Sequence, residues 1–292
     1  MSDNKTPGGL LVRKAQFEFP EDFPTYWNPA EPVWSQLFNG ASMMLPHFEP
    51  FIIDAIRKAT EQITDPTLLQ EAKAWVGQES QHFRQHRRFN EMLIAKGYEQ
   101  LREVEQQFAR DYEQLGERSL KFQAAYSAGL ETMALAMAHL GIKQRNRFFG
   151  DADPDIASLW LWHLVEEIEH KNVAFDVYQH VYGDYWYRVY GLVYGLVFVF
   201  RQVRQAYMVL LKADGLWGKL RTRWAIKRFA FRLFGYLLWR LMLHAMPWHH
   251  PSQVTDPAWM REWVTLYDKG EQGLLKLNTA KMQMSPAGML PT

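Results

Sequence analysis

The sequence predicts an all-α fold, and three observations carry that reading. Apolar residues recur at alternating spacings of three and four, as in Leu101, Val104, Phe108, Tyr112 and Leu115, the period of one helix face. The pairs Asp65-Pro66, Asp153-Pro154 and Asp256-Pro257 each join an N-cap acceptor to a proline suited to the first helical turn. Sustained two-residue alternation, and hairpin dipeptides between two such runs, do not occur, which removes the strand alternatives.

In chain order, residues 1–30 hold Pro7, Pro20, Pro24 and Pro29, so an extended arm is expected. Phe17, Phe19, Phe23, Tyr26 and Trp27 give that arm reason to pack on the body. A first helix is expected from about Pro32 to Gln62, interrupted near Pro46 and Pro50, because proline removes a helical hydrogen bond. The second runs from Pro66 to Gly97, a short amphipathic connector covers 101–115, a third helix covers about 117–148, and a fourth runs from Pro154 to about Tyr182. Residues 31–183 thus hold four long helices in two pairs, with the connector joining the pairs.

Beyond Gly183 the composition changes. Residues 189–200, VYGLVYGLVFVF, are apolar throughout but fall short of the roughly 20 residues of a membrane-spanning helix. Arg201, Arg204, Lys212, Lys219, Arg221, Arg223, Lys227, Arg228, Arg232 and Arg240 follow, with only Asp214 against them. Residues 184–280 are expected to form aromatic and basic helices that pack on the bundle or on a membrane, and 281–292 a flexible tail.

Composition sets limits on function. With 292 residues and 48% hydrophobic side chains, the chain suits one helical bundle carrying an appendage. The absence of cysteine excludes disulfides, thiolate ligands and cysteine nucleophiles, so any metal must be held by nitrogen and oxygen donors. A net charge of +1 gives no reason to expect nucleic acid as a partner. The start MSDNKTPGGLLVRK lacks the apolar core of a signal peptide, which points to the cytoplasm. The basic, aromatic segment 185–250 adds an expectation of peripheral contact with the anionic inner face of a membrane.

The chemistry is carried by polar residues on apolar stripes. In the second helix Trp75, Glu79, His82, His86, Phe89 and Leu93 recur by four, three, four, three and four, the inward stripe of a bundle helix. In the fourth, Ile156, Leu159, His163, Glu167, His170, Ala174 and Val177 do the same. Ionisable groups at such positions are costly to bury without a partner, and a metal ion is such a partner. Glu131 is the one polar residue among Ala124, Ala128, Leu135, Ala138 and Ile142 of the third helix. The first helix offers Glu49, with Asp54 as a competing carboxylate.

Glu49, then Glu79-x-x-His82, then Glu131, then Glu167-x-x-His170 is the di-iron or di-manganese carboxylate pattern of ferritin-like bundles. The separations from Glu49 to His82 and from Glu131 to His170, 33 and 39 residues, fit two similar helical hairpins. The fold expected is therefore a ferritin-like four-helix bundle with extra C-terminal helices. Four carboxylates balance two divalent ions, and the donor set suits iron, with manganese replacing one or both. His86 is expected to support a ligand from behind or to be a satisfied core histidine. Glu166 and Glu169 are expected to be solvated or paired with Arg, with Glu166 also able to support a ligand. Met133 and Met137 read as packing.

At WHLVEEIEHKNVAFDVY and QESQHFRQHRRFNEML the chain resembles a bacterial family of predicted metal-dependent hydrolases, over about residues 20–255. It is more distantly similar to the di-iron arylamine N-oxygenases, whose pattern is Glu, E-x-x-H, Glu, then H-x-x-x-E-x-x-H. His163, Glu167 and His170 match the last segment, and Glu49, Glu79, His82 and Glu131 the earlier ones. That resemblance implies seven ligands, His163 being the addition to the six of a ferritin-like site.

Three functions are open at this stage. The leading expectation is a di-iron oxidoreductase that activates dioxygen, with electrons from an unidentified donor, to hydroxylate, desaturate or N-oxygenate an apolar or lipid-like substrate. The second is a two-metal hydrolase. The third is a metal-binding protein without turnover.

Overall fold

The computed structural model describes residues 9–19, 21 and 23–291; residues 1–8, Pro20, Asp22 and Thr292, parts of the expected arm and tail, lie outside these. All regular structure among the described residues is helical. Helix α1 (Pro32–Thr60) pairs with α2 (Pro66–Ala95). After the connector α3 (Leu101–Gly116), α4 (Leu120–Lys143) and the one-turn α5 (Arg145–Phe149) lead to α6 (Pro154–Glu169) and α7 (Val173–Val181). Helices α1, α2, α4 and the α6–α7 pair pack around one core as a four-helix bundle.

Local chemistry explains where these helices begin. The Asp65 carboxylate accepts from the amides of Thr67 and Leu68, and that of Asp153 from Asp155 and Ile156, N-cap bonds that satisfy donors the first helical turn leaves open. The fourth helix expected from the sequence is divided: α6 stops at Glu169, and the Val173 amide bonds the His170 carbonyl instead of continuing the ladder. Lys171, at the break, is drawn away by the Val254 carbonyl and the Asp256 carboxylate.

Helix α1, by contrast, passes unbroken through Pro46 and Pro50, where an interruption was expected. Each proline frees the carbonyl four residues earlier, and side chains of α2 take up both. Asn90 Nδ2 donates to the Ser42 carbonyl at 2.8 Å and Arg87 Nη2 to the Pro46 carbonyl at 3.1 Å. The two prolines thus bind α1 to α2.

Helix α8 (Tyr185–Ala213) lies against α1 and α4, and α9 (Leu220–Ala245) against α4. The α4–α8 contact is backbone on backbone. A Cβ at Gly129 would stand 2.5 Å from Leu192 Cα, and one at Gly191 would overlap the Ala125 carbonyl. Small residues are therefore required where the appendage joins the bundle.

The arm and the C-terminal segment belong to the same apolar cluster as the bundle: Phe17, Phe19, Phe23 and Trp27 are buried with Trp263 of α10 (Ala258–Asp268). The expected flexible tail is corrected by the same cluster. Met282 and Met289 are fully buried, and the Asn278 amide donates to the Met289 carbonyl at 2.7 Å. Isolated methionines without helical periodicity gave no sign of this docking in the sequence. No helix among the described residues is long and apolar enough to cross a membrane.

Replacing Asn90 by Leu leaves the Ser42 carbonyl without a partner in a buried site. The metal-free variant is expected to lose about 1–3 kcal/mol in urea unfolding, and Arg87→Ala less, because Arg87 is exposed and water replaces it.

Candidate metal centre

The bundle brings all seven residues singled out in the sequence into one buried cluster. Glu49 comes from α1, Glu79 and His82 from α2, Glu131 from α4, His163 and Glu167 from α6, and His170 from the residue that ends α6. Asp54, the competitor on α1, is instead exposed and paired with Lys58 at 2.6 Å.

The cluster has two halves. Glu49, His82 and His163 each place a donor atom within 4.8 Å of the others, and so do Glu79, Glu131, Glu167 and His170. Two carboxylates reach both halves. Glu167 Oε1 lies 3.1 Å from His163 Nε2 while its Oε2 lies 3.5 Å from His170 Nε2. Glu79 Oε1 lies 3.2 Å from His170 Nε2 while its Oε2 lies 3.8 Å from His82 Nδ1. Each of these carboxylates thus turns one oxygen toward each half.

The donor atoms fit cations in a further respect. Both oxygens of Glu49, Oε1 of Glu79, Oε2 of Glu167, Nδ1 of His82 and Nε2 of His170 are buried without a hydrogen bond. Buried polar groups otherwise find partners in nearly every case, and here their open valences converge. With no thiolate in the chain, oxygen and imidazole donors suit divalent iron, manganese or zinc.

Surrounding hydrogen bonds select which nitrogen each histidine turns inward. Asn90 is oriented by donating to the Ser42 carbonyl, so its Oδ1 accepts from the Ser42 hydroxyl at 2.6 Å. Ser42 Oγ, 2.8 Å from His86 Nδ1, must then accept from that nitrogen. Burial first, then His163, holds the His86 pKa well below its ordinary value, so the ring is neutral and its Nε2 is an acceptor. His163 Nδ1, 3.1 Å away, donates to it, which leaves the His163 Nε2 lone pair facing the cluster.

The other two rings are set in the same way. Gln78 donates through Nε2 to the Leu11 carbonyl and Glu169, so its Oε1, 3.1 Å away, accepts from His170 Nδ1. His82 Nε2 donates to Glu166 Oε2 at 3.0 Å. Glu166 is not solvated. It and Glu169 are buried on the guanidinium of Arg13, at 3.1 Å and 2.5 Å. Partners of this kind fix tautomer and ring orientation around metal-binding histidines.

Without a cation the cluster holds protons. Burial, then Glu79, raises the Glu49 carboxyl well above the usual range, and burial with Glu167 pushes Glu131 up to about 7. For His82 burial acts downward, but the bond to Glu166 and the nearby Glu79 carboxylate outweigh it and raise the ring well above its ordinary value. His170 is raised likewise by Glu131 and Glu167 against its burial. Glu167 goes the other way: burial would raise it, yet His163 and His170 hold it well below the carboxylate range.

An apolar cavity of about 180 Å³ reaches this cluster between α1, α4, α6, α8 and α9. Phe38, Met44, Phe48, Leu130 and Met133 are among its walls, and the ionisable groups in its lining are His163 and Glu167 alone.

A family model described as predicted metal-dependent hydrolase matches residues 11–255. The chain belongs to that family. No curated protein and no solved structure matches it. The family description and the two buried donor groups together support divalent metal binding. Four supporting residues escaped the sequence reading. Gln78, Asn90 and Ser42 were detectable in principle as polar residues on buried helix faces, whereas Arg13 sits in an arm without periodicity and left no signal.

Two outcomes are expected. Metal must displace the protons held by Glu49, Glu131, His82 and His170, so affinity for a divalent ion rises as pH increases through about 7 and uptake releases protons; calorimetry in buffers of different ionisation enthalpy measures both. His86→Phe removes the acceptor that orients His163 and lowers metal affinity by roughly 10–100-fold, measured by competition with a chromogenic chelator.

Proposed function

We propose that the protein is a two-metal enzyme acting on an apolar substrate, in which Glu49, His82 and His163 would hold one ion, Glu131 and His170 the other, with Glu79 and Glu167 within reach of both. The observation that carries the reading is the cavity, whose apolar walls end on His163 and Glu167. A substrate with a hydrocarbon portion would leave water for those walls, and its reacting end would rest at the cluster. Bound there, a metal pair supplies Lewis-acid activation of water or, as iron, reduction of dioxygen.

Hydrolysis is the first reading, because the family description names it and a pair of neighbouring ions would suit the activation of water. The chain's own part is to align the scissile bond beside Glu167 and to limit entry of bulk water. A second reading, oxidation of the same substrate by dioxygen at a di-iron or iron–manganese pair with an electron donor, is favoured by a specific feature. All seven donors are glutamate or histidine and all are enclosed, in the order of the N-oxygenase pattern, with His163 as the seventh.

Protein reconstituted without oxygen should bind about two divalent ions per chain, and Glu131→Ala or Glu167→Ala should reduce that figure. A hydrolase cleaves esters or amides of apolar acids equally well with zinc and without oxygen. Oxygen uptake by the iron form with a chemical reductant, together with an inert zinc form, would replace hydrolysis by the second reading. Unchanged stoichiometry in both variants would refute the site.

A further inference from the structure

The two appended helices carry rows of large apolar side chains on the side away from the bundle. On α9 the buried residues are Thr222, Leu233, Leu237, Leu241 and His244. Leu220, Trp224, Phe231, Phe234, Leu238 and Met242 are exposed, Trp224 at 73% and Phe231 at 82%. Their spacings place all six on one stripe, set apart from the packed face. Helix α8 repeats the arrangement with Trp186, Tyr190, Val193, Val197 and Phe200, all exposed and spaced by four, three, four and three. Leu192 of α8 and Leu233, Leu237 and Leu241 of α9 share one buried cluster with Ala136 of α4, so both helices pack over the same part of α4. Exposed rows of large apolar side chains mark an interaction site.

Charge identifies the occupant. Arg221, Arg223, Lys227, Arg228 and Arg232 border the α9 stripe and are exposed, and among the described residues none is ion-paired with a carboxylate. The one acid in residues 185–255, Asp214, is turned inward, accepting from Tyr98 at 2.7 Å and Gln36 at 2.6 Å. A second copy of the chain would bring the same basic rim against this one. A surface that is anionic outside and apolar within satisfies both features.

We propose that the α8–α9 face docks on an anionic lipid bilayer, the aromatic stripes entering the headgroup region and the arginines engaging lipid phosphates. The apolar cavity reaches the same face: Phe200 is 40% exposed and lines the cavity together with Val203 and Leu233. An apolar substrate would then pass from the bilayer to the metal centre without crossing water. That route rests on the proposed function; the docking does not.

Co-sedimentation with phosphatidylcholine vesicles, with and without phosphatidylglycerol, tests the docking. The intact chain is expected to pellet with the mixed vesicles at low salt and to be released as salt rises. Arg228→Gln and Arg232→Gln should each lower the partition coefficient roughly fivefold. Trp224→Ser combined with Phe231→Ser should abolish pelleting, with circular dichroism and metal content unchanged in every variant. Intact protein left in the supernatant at low salt overturns the inference. Binding by the variants equal to that of the intact chain overturns it too, as does a dimer that the same substitutions dissolve while vesicles are ignored. Binding is read without turnover, so an inactive protein that still pellets counts against the proposed function and not against docking.

Discussion

Four carboxylates and three imidazoles at the centre of an apolar bundle set the terms for the rest of this structure. Like charges so close in a medium of low dielectric repel strongly, and each loses its hydration. The metal-free protein answers by keeping protons on Glu49 and Glu131 and on the rings of His82 and His170. The donor atoms that remain without hydrogen bonds point at one another. Such an arrangement is economical only if cations enter it, since a cation removes the repulsion and satisfies the open valences together.

Holding the donors in place requires a second layer, and that layer reaches far along the chain. Pro46 frees the Ser42 carbonyl, which orients Asn90, which fixes the Ser42 hydroxyl, and through His86 the proton on His163 is confined to Nδ1. On the other side Arg13 compensates Glu166 and Glu169, which in turn fix His82 directly and His170 through Gln78. A residue of the extended arm thus stabilises the orientation of rings on two helices. Buried networks of this kind favour one geometry, because an alternative leaves more polar groups unpaired.

The appended helices serve both sides of the molecule. Inward, Val199, Phe200 and Val203 of α8 and Leu233 of α9 complete the apolar wall of the cavity. Outward, the same helices present aromatic rows bordered by arginine. The attachment of α8 through Gly129 and Gly191 brings its backbone close to that of α4.

The sequence by itself determined the helical class, the caps at Asp65 and Asp153, and six of the seven residues that meet at the centre. Helical periodicity is local and survives in any tertiary setting, so polar residues on apolar stripes at Glu79, His82, Glu131, His163, Glu167 and His170 were legible there. Only the tertiary structure decided the continuity of α1 through two prolines, since the donors that repair it lie on another helix. It alone decided that Glu49 and not Asp54 faces inward, because spacing along α1 does not tell which side of a proline-containing helix meets the bundle. It also revealed the break at His170, the burial of Met282 and Met289, and the part played by Arg13. Each of these rests on a contact between segments distant in the chain, and no local pattern encodes such a contact.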